Sequence, residues 1–180
     1  ICRCLVGSEM CIRDSEETYL KIISSKTAEL FAAATKVGAI LSEMKTKEKE
    51  ALEFYGRNLG LTFQIADDTL DYNSELKLFG KNIGQDFYEG KITLPIILLF
   101  QKANKDEKET LKKTFAKEER NQNDLNYTLS LIKKYDVINS CYQKAKHYIN
   151  LSSNSLSVFK DSEEKNILQN LTSFSLSRNF

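Results

Sequence analysis

The ten residues from Phe63 to Tyr72, FQIADDTLDY, set three aspartates in the middle of an apolar helical pattern. At about 100° per residue, Gln64, Asp67, Asp68 and Asp71 fall within an arc of roughly 100°, and Gly56 and Gly60 lie on or beside the same face one and two turns earlier. Leu52, Tyr55, Leu59, Phe63, Ala66 and Leu70 line one flank of this helix, and Phe54, Leu61 and Ile65 line the other. A helix with two apolar flanks is buried on two sides, so its carboxylates are expected to face an interior cavity that the two glycines leave open. Like charges so close stay ionised together only if cations neutralise them. Oxygen-only ligands suit magnesium, which takes one or two carboxylates and completes its octahedron with water and substrate phosphate. Aspartate pairs are common on solvated helix faces, but such faces mix in Lys and Glu. From Gly60 to Tyr72 there is no Lys, Arg or Glu.

A chain of 180 residues can bury one sizeable core. Its 26 basic and 25 acidic residues give a net charge of +1, which points to neither nucleic acid nor an anionic membrane surface. No apolar run approaches the roughly 18 residues that span a bilayer. One proline and seven glycines, with long stretches of Lys, Glu, Leu and Ala, predict an all-α chain. The first fifteen residues, ICRCLVGSEMCIRDS, hold three of the four cysteines and lack helical periodicity. Residues 1–15 therefore read as a non-native, adapter-derived segment, leaving residues 16–180 as the fold. Cys2 and Cys4 have no CxxC or histidine partner to make a metal site. Cys141 is then the one native cysteine, as expected of a protein of the reducing cytoplasm.

Helical spacing predicts a first helix from Glu16 to about Met44, with Tyr19, Ile22, Ile23, Leu30, Ala34, Val37 and Leu41 as its stripe. The second runs from about Thr46 to Tyr72. The glycine-containing stretch 73–91 then breaks the pattern, and further helices are predicted at about 92–103, 106–119, 124–134, 136–158 and 162–177. Pro95 stands in the first turn of its helix, where a missing N–H costs little.

Lys26 interrupts the first stripe. With no acidic partner on its own face, it either extends its ammonium past the stripe into water or meets an anion from elsewhere. Thr27 adds a hydroxyl for the same anion, and Lys81 and Lys91 in the following loop add two charges. Lysines facing magnesium carboxylates are what a diphosphate requires, because it bridges metal on one side and accepts charge-assisted hydrogen bonds on the other. Other devices fail on spacing: Gly80-Lys81-Asn82 lacks the Ser/Thr and the first glycine of a P-loop, and Asp67, Asp68 and Asp71 lack the alternate spacing of an EF-hand. His147, the single histidine, sits beside Lys144 and Lys146 on an amphipathic pattern and reads as a surface residue.

FQIADDTLDY followed by GKNIGQDFYEGKITLP, with YLKIISSKTAELF upstream, resembles the second aspartate-rich motif, succeeding loop and preceding helix of the trans-polyprenyl diphosphate synthases. The resemblance implies the all-helical isoprenoid synthase bundle. It implies that Asp67 and Asp71 bind Mg2+ directly or through water with Asp68 supporting the cluster, and that Lys26, Thr27, Gln64, Lys81 and Lys91 hold the allylic diphosphate. Catalytic weight then falls on Lys26, Asp67 and Lys81, which stabilise departing diphosphate while isopentenyl diphosphate attacks the allylic cation. Homodimers are the family habit.

Family members carry an earlier aspartate-rich motif and basic residues for isopentenyl diphosphate, and neither is found here. The chain accordingly reads as the C-terminal half of a geranylgeranyl-type or longer-chain synthase, inactive alone and with apolar surface uncovered along Tyr19 to Leu41 and at Phe63 and Ile65. The rivals are a non-catalytic partner subunit of a heteromeric synthase, a terpene cyclase, whose Asn/Ser/Glu motif is missing, and a helical scaffold on which the aspartates are surface decoration.

Overall fold

The computed structural model describes residues 16–73 and 83–177, and among these every regular element is helical. Helix α1 (Glu16–Ile23) passes through a π-helical turn (Ser24–Ala28) into α2 (Glu29–Leu41). Then follow α3 (Thr46–Leu70), a short α4 (Gln85–Tyr88), α5 (Leu94–Lys102), α6 (Lys105–Ala116), α7 (Gln122–Lys134), α8 (Val137–Ser155) with a 3₁₀ turn at Leu156–Val158, and α9 (Glu163–Ser177). No helix among the described residues is long and apolar enough to cross a membrane.

These elements form two compact units, one of residues 16–19 with 68–73 and 83–141 and one of residues 20–67 with 142–177. In the first, Leu94 to Phe100 are buried without interruption, as a helix apolar on all sides must be. Here α5 packs on α7, and Phe115 receives Phe87 edge-on at a centroid distance of 5.4 Å. Arg120 lies over the Phe115 ring and donates to the Phe115 carbonyl at 2.7 Å, satisfying one of the acceptors left open at the end of α6. Two capping boxes set the starts of α6 and α7: Asn104 with Glu107 and Asn121 with Asp124. Periodicity alone places these starts one and two residues late, because a cap is read from the polar residue before the stripe.

The second unit is built on the approach of α3 to the π turn and α2. Ala28, Ala32 and Ala39 are the buried face here, while Leu30 and Leu41 are 73% and 79% exposed. Of the predicted stripe Ile23 is buried, but Ile22, Leu30, Val37 and Leu41 lie outside while Ala28, Ala32 and Ala39 lie inside. Gly56 and Gly60 explain the inversion, since a Cβ on Gly56 would stand 2.5 Å from the Phe31 carbonyl oxygen and one on Gly60 2.7 Å from Ala28 Cα. The two glycines do not open a cavity; they admit backbone. Tyr55, Leu59 and Leu156 form a core against which Phe31, Leu52, Phe159 and Leu168 pack. The Tyr55 hydroxyl donates to the Leu168 carbonyl at 2.9 Å, and the Ser152 hydroxyl donates to the Tyr55 carbonyl at 2.9 Å.

Candidate functional site

The aspartate motif occupies the last turn of α3 and the residue just beyond it, and burial treats its three carboxylates differently. Asp67 is exposed, Asp68 is buried and Asp71 is half-buried. Residues one apart on a helix leave it about 100° apart, so one of an adjacent pair readily turns inward while the other meets solvent.

Within the second unit, Lys26 and Thr27 lie in the π turn, closed by the Glu29 N–H donating to the Ser24 carbonyl. Such turns are single-turn insertions that redirect side chains and recur at functional sites. Lys26 is exposed. The Thr27 hydroxyl donates to Gln64 Oε1 at 2.8 Å, which joins two of the residues expected to hold a diphosphate. Phe31 and Phe63 stack beside them with centroids 5.7 Å apart. Phe63 remains exposed whereas Ile65, expected beside it on uncovered surface, is fully buried.

Within the first unit, the Tyr19 hydroxyl donates to Asp68 Oδ2 at 2.7 Å. Burial, then the Asp68 carboxylate, pushes the Tyr19 phenol well above its usual pKa, so it stays a donor. Asp71 folds back onto the returning chain. Its Oδ1 accepts the Gln85 N–H at 3.0 Å and its Oδ2 the Asp86 N–H at 2.9 Å, while its main-chain carbonyl accepts the Gly84 N–H at 2.9 Å. Gly84 takes a left-handed conformation with φ 86° to turn into α4. Burial raises the Asp71 pKa and outweighs the backbone donors that lower it. Lys91 is ion-paired with Glu89 at 2.7 Å and with Asp86 at 2.9 Å; both partners raise its pKa. Lys81 lies outside the described residues, as do Cys2, Cys4 and Cys11. His147 is exposed on α8 with its ring against Tyr148, as a surface residue should be.

Sequence reasoning missed three features. Tyr19 was visible only as a member of an apolar stripe, and its hydroxyl carries no periodic signal. Asp86, the shared partner of Lys91 and neighbour of Asp71, was hidden in an aperiodic stretch. The π turn leaves one trace, the polar run Ser24-Ser25-Lys26-Thr27 across an otherwise amphipathic pattern.

Among the described residues no group of three or more carboxylate, histidine or cysteine side chains is gathered into a metal cage. The donor chemistry nevertheless fits a hard cation. The motif offers oxygen only, and a carboxylate oxygen that accepts one N–H keeps further acceptor capacity. Such a set suits a metal bound through one or two carboxylates and a substrate phosphate.

The family model of polyprenyl synthetases matches residues 7–132. An all-trans-nonaprenyl-diphosphate synthase (geranyl-diphosphate specific) from Rhodobacter capsulatus is 33% identical over 164 residues, covering 91% of this chain and 50% of that protein. A crystal structure of a decaprenyl diphosphate synthase from Rhodobacter capsulatus superposes with a TM-score of 0.87 at 32% identity, over 94% of this chain and 52% of that one. A polyprenyl synthase from Caulobacter crescentus CB15, solved with calcium and isoprenyl diphosphate, gives a TM-score of 0.87 at 36% identity and the same coverage, 94% and 52%. The chain spans about half the length of these relatives.

Proposed function

The chain belongs to the polyprenyl synthetase family, which has the isoprenoid synthase helical fold, and from that premise we propose that it serves a magnesium-dependent prenyltransferase joining an allylic diphosphate to isopentenyl diphosphate. The observation that carries the reading is the oxygen-only motif Asp67–Asp71 at the end of a helix whose second half, from Gly60, has no Lys, Arg or Glu, and which the Thr27–Gln64 hydrogen bond ties to the turn bearing Lys26. The relative solved with calcium and isoprenyl diphosphate supports a divalent cation and a diphosphate ligand.

Asp67 and Asp71 would hold the metal with Asp68 in support, and bound Mg2+ would supply charge neutralisation of the leaving diphosphate. Lys26, Thr27, Gln64, Lys81 and Lys91 bind and orient that diphosphate through charge-assisted and neutral hydrogen bonds. Lys91 does so by exchanging its present carboxylate partners, and half-exposed ion pairs of this kind cost little to exchange. The allylic C–O bond breaks, the double bond of isopentenyl diphosphate forms the new C–C bond, and the proton it sheds passes to released diphosphate. Homodimerisation and a cytoplasmic location belong to the same proposal; a buried cysteine such as Cys141 suits a reducing compartment.

Calorimetric titration of the 180-residue chain with a bisphosphonate tests this. Binding is expected with magnesium, lost on adding EDTA, and weakened at least tenfold by Asp67→Ala. Equal binding, or none, with and without magnesium would favour the scaffold. A non-catalytic partner subunit is disfavoured because such a chain has no use for Asp67, Asp71, Lys26 and Lys81 together.

A further inference from the structure

Tyr19 belongs by pattern to an apolar stripe, where phenylalanine would fill the same space. It is 5% exposed, and its hydroxyl donates to Asp68 Oδ2 at 2.7 Å, 49 positions along the chain. Asp68 is the buried carboxylate of the motif, at 6% exposure. Burying a carboxylate is expensive unless donors meet it, so the hydroxyl has a purpose that the ring does not.

That purpose follows from helix geometry. With Asp68 held toward Tyr19, the rotation of the last turn of α3 is set, and with it the direction in which Asp67 leaves the helix one position earlier. Asp71 is held independently, by the Gln85 and Asp86 N–H groups. The protein therefore has separate donors for the carboxylate before the helix end and the one beyond it. Outer donors that orient ligating carboxylates commonly change metal affinity by 10–100-fold when removed.

We infer that Tyr19 is a positioning residue for the metal–diphosphate site: its hydroxyl anchors Asp68 and thereby presents Asp67. This rests on the function proposed above. Tyr19→Phe removes the hydroxyl and keeps the ring. In the 180-residue chain it is expected to raise the magnesium concentration needed for half-maximal bisphosphonate binding on the order of tenfold, with the circular dichroism spectrum unchanged. Tyr55→Phe is the control. Tyr55 is equally buried and its hydroxyl also makes one long-range bond, to the Leu168 carbonyl, so this variant is expected to lower stability without moving the magnesium midpoint. Tyr19→Phe added to Asp68→Ala should cause no further shift, because the two groups act as one unit.

A Tyr19→Phe midpoint equal to wild type, with wild-type binding intact, overturns the positioning role alone. A shift in Tyr55→Phe equal to that in Tyr19→Phe also overturns it, since general loosening would then suffice. Wild-type chain that binds no bisphosphonate in magnesium overturns the proposed function, and the role of Tyr19 with it.

Discussion

The Thr27 hydroxyl donates to the Gln64 side-chain oxygen across 2.8 Å, joining the π turn to the helix that carries the aspartates. A half-buried hydroxyl-to-amide hydrogen bond of this kind contributes about 1 kcal/mol net. Thr27→Val keeps the shape and removes the donor, so it is expected to destabilise the chain by about that amount and to weaken bisphosphonate binding several-fold. Thr27→Ser should restore both. Urea titration and calorimetry measure the two effects, and a valine variant that binds as wild type does would remove Thr27 from the site.

Asp71 gives the pH dependence a definite sign. Its carboxyl pKa is raised in the folded chain, chiefly by burial, so the folded state takes up its proton at higher pH than the unfolded state. The ionised group therefore costs stability in full above the folded value, and the cost disappears as pH falls to the unfolded value of 3.8. Wild type is expected to gain stability relative to Asp71→Asn on acidification through that interval. Melting temperatures of both proteins between pH 7 and pH 4 would show it, and a difference that stays constant or moves the other way would contradict the assignment.

Gly60→Ala is expected to destabilise by about 1–3 kcal/mol, because its Cβ would stand 2.7 Å from the Ala28 backbone. Gly38→Ala is the contrast, since nothing lies within 4 Å of a Cβ there. On helix propensity alone it should stabilise by up to about 1 kcal/mol. Denaturant midpoints compare the pair directly, and equal effects would refute the close approach of α3 to the π turn.

Purified chain supplied with magnesium, farnesyl diphosphate and isopentenyl diphosphate is expected to form no elongated product. Its one DDxxD motif, at Asp67–Asp71, provides a single carboxylate face, and leaving-group stabilisation from one side alone leaves the ionisation barrier largely in place. Radiolabelled product analysis decides this, and robust elongation would show that one motif suffices.

Periodicity determined much of this protein unaided. Apolar spacing alone located α3, α5, α7 and α8 to within a few residues, because amphipathic spacing is written locally and one buried face suffices to set it. The aspartates of FQIADDTLDY were equally legible, since charge in an apolar helix conflicts with its surroundings whatever those surroundings are. The tertiary structure decided what each face meets. Gly56 and Gly60 are compatible in sequence with an open cavity or with backbone contact, and only the positions of Ala28 and Phe31 choose the second. That choice turns Ala28, Ala32 and Ala39 inward and leaves Leu30 and Leu41 outside, against their hydrophobicity. Likewise nothing local separates Asp67 from Asp68. A hydroxyl 49 positions away makes one of them the buried anchor, because a hydrogen bond between distant segments depends on where the chain returns, and residue spacing carries no record of that.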